Sequence, residues 1–334
     1  MSTLEGKSSS CSQRSQSLAD PSSMDQAASI FSSRGYLLYT RFFPKFSVQH
    51  VPIPKPDVEF TFLVAQSFIT SNKAVTAPKH YNLRVAECTL AAVTLAKHHG
   101  VALQKDISSL GYSLRNFQEE LMRKEGRLQD PLEYQIDSVI QAASDLFTKE
   151  EGYTREEIAQ MLSLSVEELK KQFLSSFPVQ AERFLLRQRS LHCFKEARRV
   201  LDFKACLTKS KDHLSEHDIK YLGQLLNESQ KSCRYMYECS CPEINEICDI
   251  ALRAGAFGSR LTGAGWGGST VHMIPQSKVE AVTEALRKEY YAKHFPDLSE
   301  EKLRDAMVIS KPSNGSFVYV PWLFSLALSV LTRI

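Results

Sequence analysis

Four glycines crowd into six positions at Gly263-Ala264-Gly265-Trp266-Gly267-Gly268. Such a run lets the backbone take left-handed φ or come close to another group with no Cβ in the way. Gly263, Gly265 and Gly268 satisfy G-x-G-x-x-G, but a dinucleotide site needs a strand before that run and a helix after it. Here the pattern predicts a helix ending near Ala254 and a strand over Ser269–Ile274, so the Rossmann reading fails. A tight helix-to-strand connection stays open beside a ligand-binding bend. Three further stretches carry reactive groups. Met24-Asp25-Gln26 sets a carboxylate just before a predicted helix Ala27–Phe31, where Asp ordinarily caps the first turn. Ser71-Asn72-Lys73 and Ala77-Pro78-Lys79-His80-Tyr81-Asn82-Leu83-Arg84 form a polar loop that leaves a buried strand and enters a helix, a common place for ligand contacts. Cys233, Cys239, Cys241 and Cys248 fall as C-x5-C-x-C-x6-C, which matches no zinc spacing and reads as buried structural thiols. The sequence contains neither a G-x-x-x-x-G-K-[ST] loop nor the protein-kinase signature set.

The elements that would position these groups divide the chain by type. Tyr36–Phe43 and Val58–Ala65 are rich in aromatic and β-branched residues and predict strands, the second covered on both faces. Leu83, Ala86, Leu90 and Val93 recur at helical spacing, with Gly100 as the C-cap. Leu186, Cys193, Ala197 and Val200 mark one face of a long helix starting near Gln180, and Val279, Val282 and Leu286 mark another. Thr154–Leu162 and Ser165–Phe173 each open on a hydroxyl residue with Glu three positions on, at Glu157 and Glu168, a capping-box signature. The fold class is therefore α+β. With 334 residues, 43% hydrophobic and 24% charged, the chain has the composition of a soluble protein of about two domains. A net charge of +3 favours no nucleic-acid partner. Eight Cys without a disulfide framework, and no apolar leader, predict reduced thiols and a cytoplasmic protein. Nine Ser in residues 1–23 predict disorder there. The apolar run Pro321–Leu331 is shorter than the ~20 residues a bilayer needs, so no membrane association is expected.

Taken in order, Met24 through Ser29, Ser71-Asn72-Lys73 with Ala77-Pro78 and Tyr81 through Arg84, Tyr237 through Glu243, and Gly258 through Gly268 resemble the galactokinases. These are sugar kinases of the GHMP family, and the match is strongest to their fungal members. The resemblance runs from about Met24 to Tyr319. It implies ATP-dependent phosphorylation of the anomeric hydroxyl of galactose, with Mg2+. It implies that Asp25 takes the hydroxyl proton, that Tyr81 contacts the sugar, and that Ser71, Asn72 and Lys73 lie on the nucleotide side. Gly263 and Gly265 belong to the family's third motif, beside its phosphate-binding loop. Related N-acetylgalactosamine kinases share several of these motifs. Fungal sensors of the same family suggest a second class, a non-catalytic regulator whose partner is a transcriptional repressor.

Two family motifs do not occur in this sequence: the sugar-binding Gly-Arg-Val-Asn-x-Ile-Gly-Glu-His kind and the phosphate loop of the Gly-x-Gly-Leu-Ser-Ser-Ser kind. The resemblance therefore implies a GHMP kinase-like fold with only a remnant of the N-terminal mixed-sheet domain over 24–78. A largely complete C-terminal domain over 79–320 follows, with an apolar tail at 321–334 outside the family pattern. Sugar phosphorylation is expected to be impaired or absent in a chain built this way.

Overall fold

A computed structural model describes residues 24–42, 45–70, 73–210 and 213–316, with backbone alone at Lys73 and Ala74. The Ser-rich segment 1–23, Ser71, Asn72 and the tail 321–334 lie outside the described residues. The chain forms two compact units, one taking the stretch up to Lys55 with residues 207–213 and those from Lys311 on, the other Pro56–Cys206 and Leu214–Ser310.

In the first unit, helix α1 (Met24–Phe31) starts three residues earlier than its apolar pattern implied. It is followed by an antiparallel hairpin of β1 (Tyr36–Arg41) and β2 (Ser47–Pro52), with Tyr36 opposite Pro52 and Arg41 opposite Ser47. The segment after Lys311 is laced to the same unit. Gly315 N donates to Ser32 O at 2.8 Å, and Arg34 N donates to Asn314 Oδ1 at 3.0 Å. Ala27, Val51 and Leu207 are its buried hydrophobic residues among those described.

The second unit begins with β3 (Phe60–Gln66), then α2 (Tyr81–His99), α3 (Leu114–Lys124), α4 (Leu132–Leu146), α5 (Arg155–Leu162), α6 (Val166–Phe173), α7 (Leu186–Lys209, which ends in the first unit) and α8 (Glu216–Ser232). It closes with α9 (Pro242–Arg253), β4 (Gly258–Thr262), β5 (Ser269–Pro275), α10 (Val279–Leu286), α11 (Glu300–Ala306) and β6 (Met307–Ser310). The sheet order is β4-β5-β3-β6, antiparallel throughout, so the early strand β3 is paired on both edges by strands from the end of the chain. Thr61, Leu63 and Ala65 of β3 are buried, whereas Phe60, Phe62 and Val64 are only half-covered. The strand is thus sealed on one face, less than its apolar run implied. Ile247, Ile250 and Ala251 of α9, with Val282 and Leu286 of α10, cover Leu63, Ala65 and Ile274. Tyr290 and Tyr291 are both buried and donate their hydroxyls to Ser67 O and Gln66 O, each at 2.7 Å, which supplies partners to carbonyls where the ladder ends.

Helix signals written in local chemistry appear where expected. Thr154/Glu157 and Ser165/Glu168 form reciprocal capping boxes, and Gly100 closes α2 at φ 60°. A third box, Ser215/Asp218, opens α8 with Asp in the place of Glu. Two expectations are corrected. The long helix α7 begins at Leu186 rather than near Gln180, because Phe184 is committed to backbone bonds with Tyr153 at 2.8 and 2.9 Å. Its buried side is also only partly the predicted one: Leu186 is fully buried, but Val200 is 48% exposed, while Arg189 and His192 are buried. Charged and aromatic-polar residues satisfied by partners do not register in an apolar periodicity.

The glycine run, too, joins strand to strand rather than helix to strand. β4 precedes it and pairs with β5, from Gly258 opposite Met273 to Thr262 opposite Ser269. The polar residues of β4 and β5 hid this hairpin. Ser259, Thr270 and His272 are all buried, and the His272 ring bonds Ser259 Oγ through Nδ1 and Thr270 Oγ1 through Nε2, both at 2.8 Å. Burial lowers the His272 pKa to about 3 from the usual 6.5. The unfolded chain therefore takes up a proton near pH 6.5 that the folded chain refuses. The associated stability is complete above pH 6.5 and is lost as pH falls toward 3, at up to about 1.4 kcal/mol per pH unit. His192, also buried and with its pKa lowered to about 4, adds to the same loss. Stability measured by urea unfolding should therefore fall between pH 7 and 4 more steeply than one group allows, and His272→Gln should reduce that slope by up to about 1.4 kcal/mol per pH unit.

Candidate functional site

A quartet of charges organises the second unit, with Arg84, Glu87 and Arg189 buried and Glu238 half-exposed at its rim. Arg84 and Glu87 sit one turn apart on α2, Arg189 on α7, and Glu238 just after the π-helical turn Cys233–Tyr237. Arg84 Nη1 and Arg189 Nε both donate to Glu87 Oε2, at 2.9 and 2.8 Å. Their remaining arms reach Glu238 Oε2, at 3.2 and 2.7 Å. Glu87 Oε1 accepts from Leu185 N at 2.8 Å, which holds the entry to α7. Arg84 Nε and Arg189 Nη1 donate to the carbonyls of Tyr237 and Met236, both at 2.5 Å. Two positive and two negative groups cancel, and each guanidinium bridges the two carboxylates through different nitrogens. Burial lowers the Arg84 pKa, reinforced by the Arg189 charge; at Arg189 burial acts the same way, but Glu87 and Glu238 outweigh it and raise the value.

The quartet fixes the π-turn, and the π-turn fixes the glycine run. Cys239 O accepts from Trp266 N at 2.7 Å. A Cβ on Gly265 would lie 2.1 Å from that carbonyl oxygen, so only glycine allows the approach. From the other side, Ile69 O accepts from Gly268 N at 2.9 Å, and Gly268 O accepts from Ser67 N at 2.8 Å. Gly263 has φ +83° and open space where a Cβ would stand. Four non-glycine residues take left-handed φ among the described residues: Phe68, Ser163, Glu238 and Trp266. Ser163 is a helix cap. The other three surround this turn, each at a cost of about 1–3 kcal/mol that the neighbouring bonds must offset. Cys233, Cys239 and Cys248 are buried with Ile244 and Leu261 beneath Trp266, whereas Cys241, the fourth thiol of that spacing, is half-buried beside them.

Trp266 also lies flat on His80, ring centroids 4.9 Å apart and planes 4° from parallel. Tyr81 follows directly and is 56% exposed at the start of α2. Burial, with Arg84 and then Lys79 nearby, lowers the His80 pKa, which favours the neutral ring. Three of the motifs singled out in the sequence thus converge on one turn: Ala77–Arg84, Tyr237–Glu243 and Gly258–Gly268. Asp25 belongs to the first unit, exposed in the first turn of α1. Lys73 opens a short helix, Lys73–Thr76, while Ser71 and Asn72 lie outside the described residues. Glu87 and Arg189 escaped the motif reading, and His80 and Trp266 lay inside two of the motifs without a role of their own. For Glu87 and Arg84 the available signal was opposite charges at i, i+3 on a helix otherwise rich in Ala and Leu. Arg189 offered none.

The open positive-φ backbone at Gly263 suits the approach of an anionic group, as a bend without side chains allows. Among the described residues no group of three or more His, Cys, Asp or Glu side chains is arranged to hold a metal ion. Among them, too, no helix is long and apolar enough to cross a membrane.

Residues 210–292 match the family model for the GHMP kinases C-terminal domain. The chain is 38% identical over 311 residues to the galactokinase of Saccharomyces cerevisiae and 36% identical over 309 residues to that of Schizosaccharomyces pombe. The galactokinase of Dictyostelium discoideum is 34% identical over 307 residues. The chain is similar to galactokinases over most of its own length. The alignment to the two yeast enzymes takes in 89% and 88% of this chain but only 59% of each of theirs. The crystal structure of Lactococcus lactis galactokinase complexed with galactose superposes with a TM-score of 0.52 at 18% identity, over 86% of this chain and 53% of that one. The α+β GHMP-kinase-like fold is thereby shared. Relatives extend from yeasts to Thermococcus kodakarensis and Mycobacterium bovis, the last two aligned over shorter stretches of 219 and 101 residues.

In this chain, Gly265→Ala should destabilise the second unit more than Gly263→Ala. Both incur the positive-φ penalty of about 1 kcal/mol, and Gly265 adds a backbone clash. Arg189→Met, which leaves Glu87 and Glu238 short of a buried partner, should cost about 3–5 kcal/mol in urea unfolding.

Proposed function

We propose that this chain carries the galactose-phosphorylating chemistry of the galactokinases, in whole or as part of a longer protein. The single observation that supports the reading most is the convergence of three family motifs on the clamped glycine turn, with Tyr81 at the start of the adjoining helix. ATP supplies the γ-phosphoryl group, with its charge shared by Mg2+. In the reaction the anomeric oxygen of galactose forms a bond to that phosphorus, the bond from the phosphorus to the β–γ bridging oxygen breaks, and ADP leaves. Asp25 accepts the anomeric proton on its carboxylate as the hydroxyl attacks. Tyr81 orients the sugar through its exposed hydroxyl. Gly263 and Gly265 let the backbone of the turn lie close to the phosphates, and Ser71, Asn72 and Lys73 serve the nucleotide side. Among the described residues no His, Cys, Asp or Glu cluster is arranged to hold the metal, which would arrive with the nucleotide.

A coupled assay of galactose-dependent ATP consumption tests the reading. Asp25→Ala should lower turnover by about 10²–10⁴-fold, the usual contribution of a general base. It should cost no more than about 1 kcal/mol of stability, the worth of an acidic group at a helix start. Full turnover in the variant would remove Asp25 from the chemistry. A wild-type chain that neither consumes ATP nor gives calorimetric heat with ATP or galactose would remove the activity from this chain.

A further inference from the structure

We infer that His80 and Trp266 are positioning residues whose stacked rings hold the glycine turn in register with the first turn of the Tyr81 helix. The inference rests on the proposed function for its purpose, but its geometry stands alone. Trp266 is the one non-glycine residue with left-handed φ inside a turn of four positive-φ glycines, Gly263, Gly265, Gly267 and Gly268. A glycine there would carry no strain, so the indole must repay what its backbone costs. Its backbone N–H is taken by Cys239 O, a bond that any residue could make. What the side chain adds is contact with the cysteine cluster and the near-parallel stack on His80.

His80 points the same way. It occupies the N-cap position of α2, where Ser, Thr, Asp or Asn would bond the free amides, yet its side chain makes no capping bond. Its Nδ1 is buried without a hydrogen-bond partner, so that nitrogen does not orient the ring and the indole does. An imidazole that neither caps nor bonds at Nδ1, next to the residue assigned to the sugar, is accounted for by the stack. The consequence is mechanical. A shift of the turn on the phosphate side must either slide the indole across the imidazole or move the Tyr81 end of α2 with it. The Ile69 and Cys239 carbonyls fix the turn at its two flanks, and the stack fixes the third direction.

Amide hydrogen exchange read by mass spectrometry tests this on the full chain without ligand. Exchange in 262–270 and 79–84 should quicken at least tenfold in His80→Ala, and His80→Phe, which keeps a flat ring and needs no partner at Nδ1, should restore the wild-type rate. Trp266→Gly should quicken the same two segments although it relieves the backbone. Exchange within twofold of wild type in His80→Ala, no rescue by His80→Phe, or a slowed turn in Trp266→Gly would each overturn the inference. If the chain turns over galactose, kcat/KM for galactose and for ATP should fall together at least fivefold in His80→Ala, and the double variant should be no worse than Trp266→Gly alone. A fall for one substrate only, or additive losses, would also overturn it. A chain that binds neither ligand sinks the proposed function instead, and the exchange rates still decide the stack.

Discussion

Two guanidiniums sharing two carboxylates inside the second unit set the terms for the rest. Arg84, Glu87, Arg189 and Glu238 come from two helices and the turn after a third, and each bond constrains a different piece of backbone. Three of these charges, Arg84, Glu87 and Arg189, are deeply buried, and such charges are tolerable only when each has its partners in good geometry. The quartet therefore behaves as a single unit rather than as separate salt bridges. Its value lies in register: it holds Met236 and Tyr237 by their carbonyls, and so settles where Cys239 presents its own oxygen.

From that oxygen outward, the site is a sequence of close approaches. Gly265 meets the Cys239 carbonyl, Gly267 comes against Ile69, and the ladder of β3 and β5 extends through Ser67 and Gly268 to close the other side. Left-handed φ at Phe68, Glu238 and Trp266 falls in the three segments that meet here. Strain collects where a fold has been shaped by something other than its own stability. The buried thiols and His272 lie beneath this surface as packing and are remote from its chemistry.

The sheet gives the turn its rigidity. β5 is bonded on both edges, to β4 and β3, and β3 in turn to β6. The hairpin that carries the glycines is thus anchored by the unit's earliest and latest strands. Long-range pairing of this kind means that the turn cannot reach its final shape until residues some 200 positions apart have met. Its geometry is therefore tied to the folding of the whole unit.

Residue chemistry alone determined a good deal. Capping boxes at Thr154 and Ser165, the Gly100 cap and the strands at Tyr36, Phe60 and Ser269 depend on neighbours within a few positions, so short stretches suffice to read them. The four motifs, with Asp25 and Tyr81 among their residues, could likewise be picked out because each is a short local run of residue types. What depended on distant partners could not be. Strand β4 was hidden because its polar residues are buried against partners on β5 and α8, and hydropathy cannot know that they are satisfied. The buried side of α7 was partly misread because Arg189 is core only in the company of Glu87, about a hundred residues earlier, and Glu238. Only tertiary structure could bring Trp266 onto His80, since neither ring has a neighbour in sequence that demands the other. Local chemistry says what a residue can do, and the packed unit decides whom it does it with.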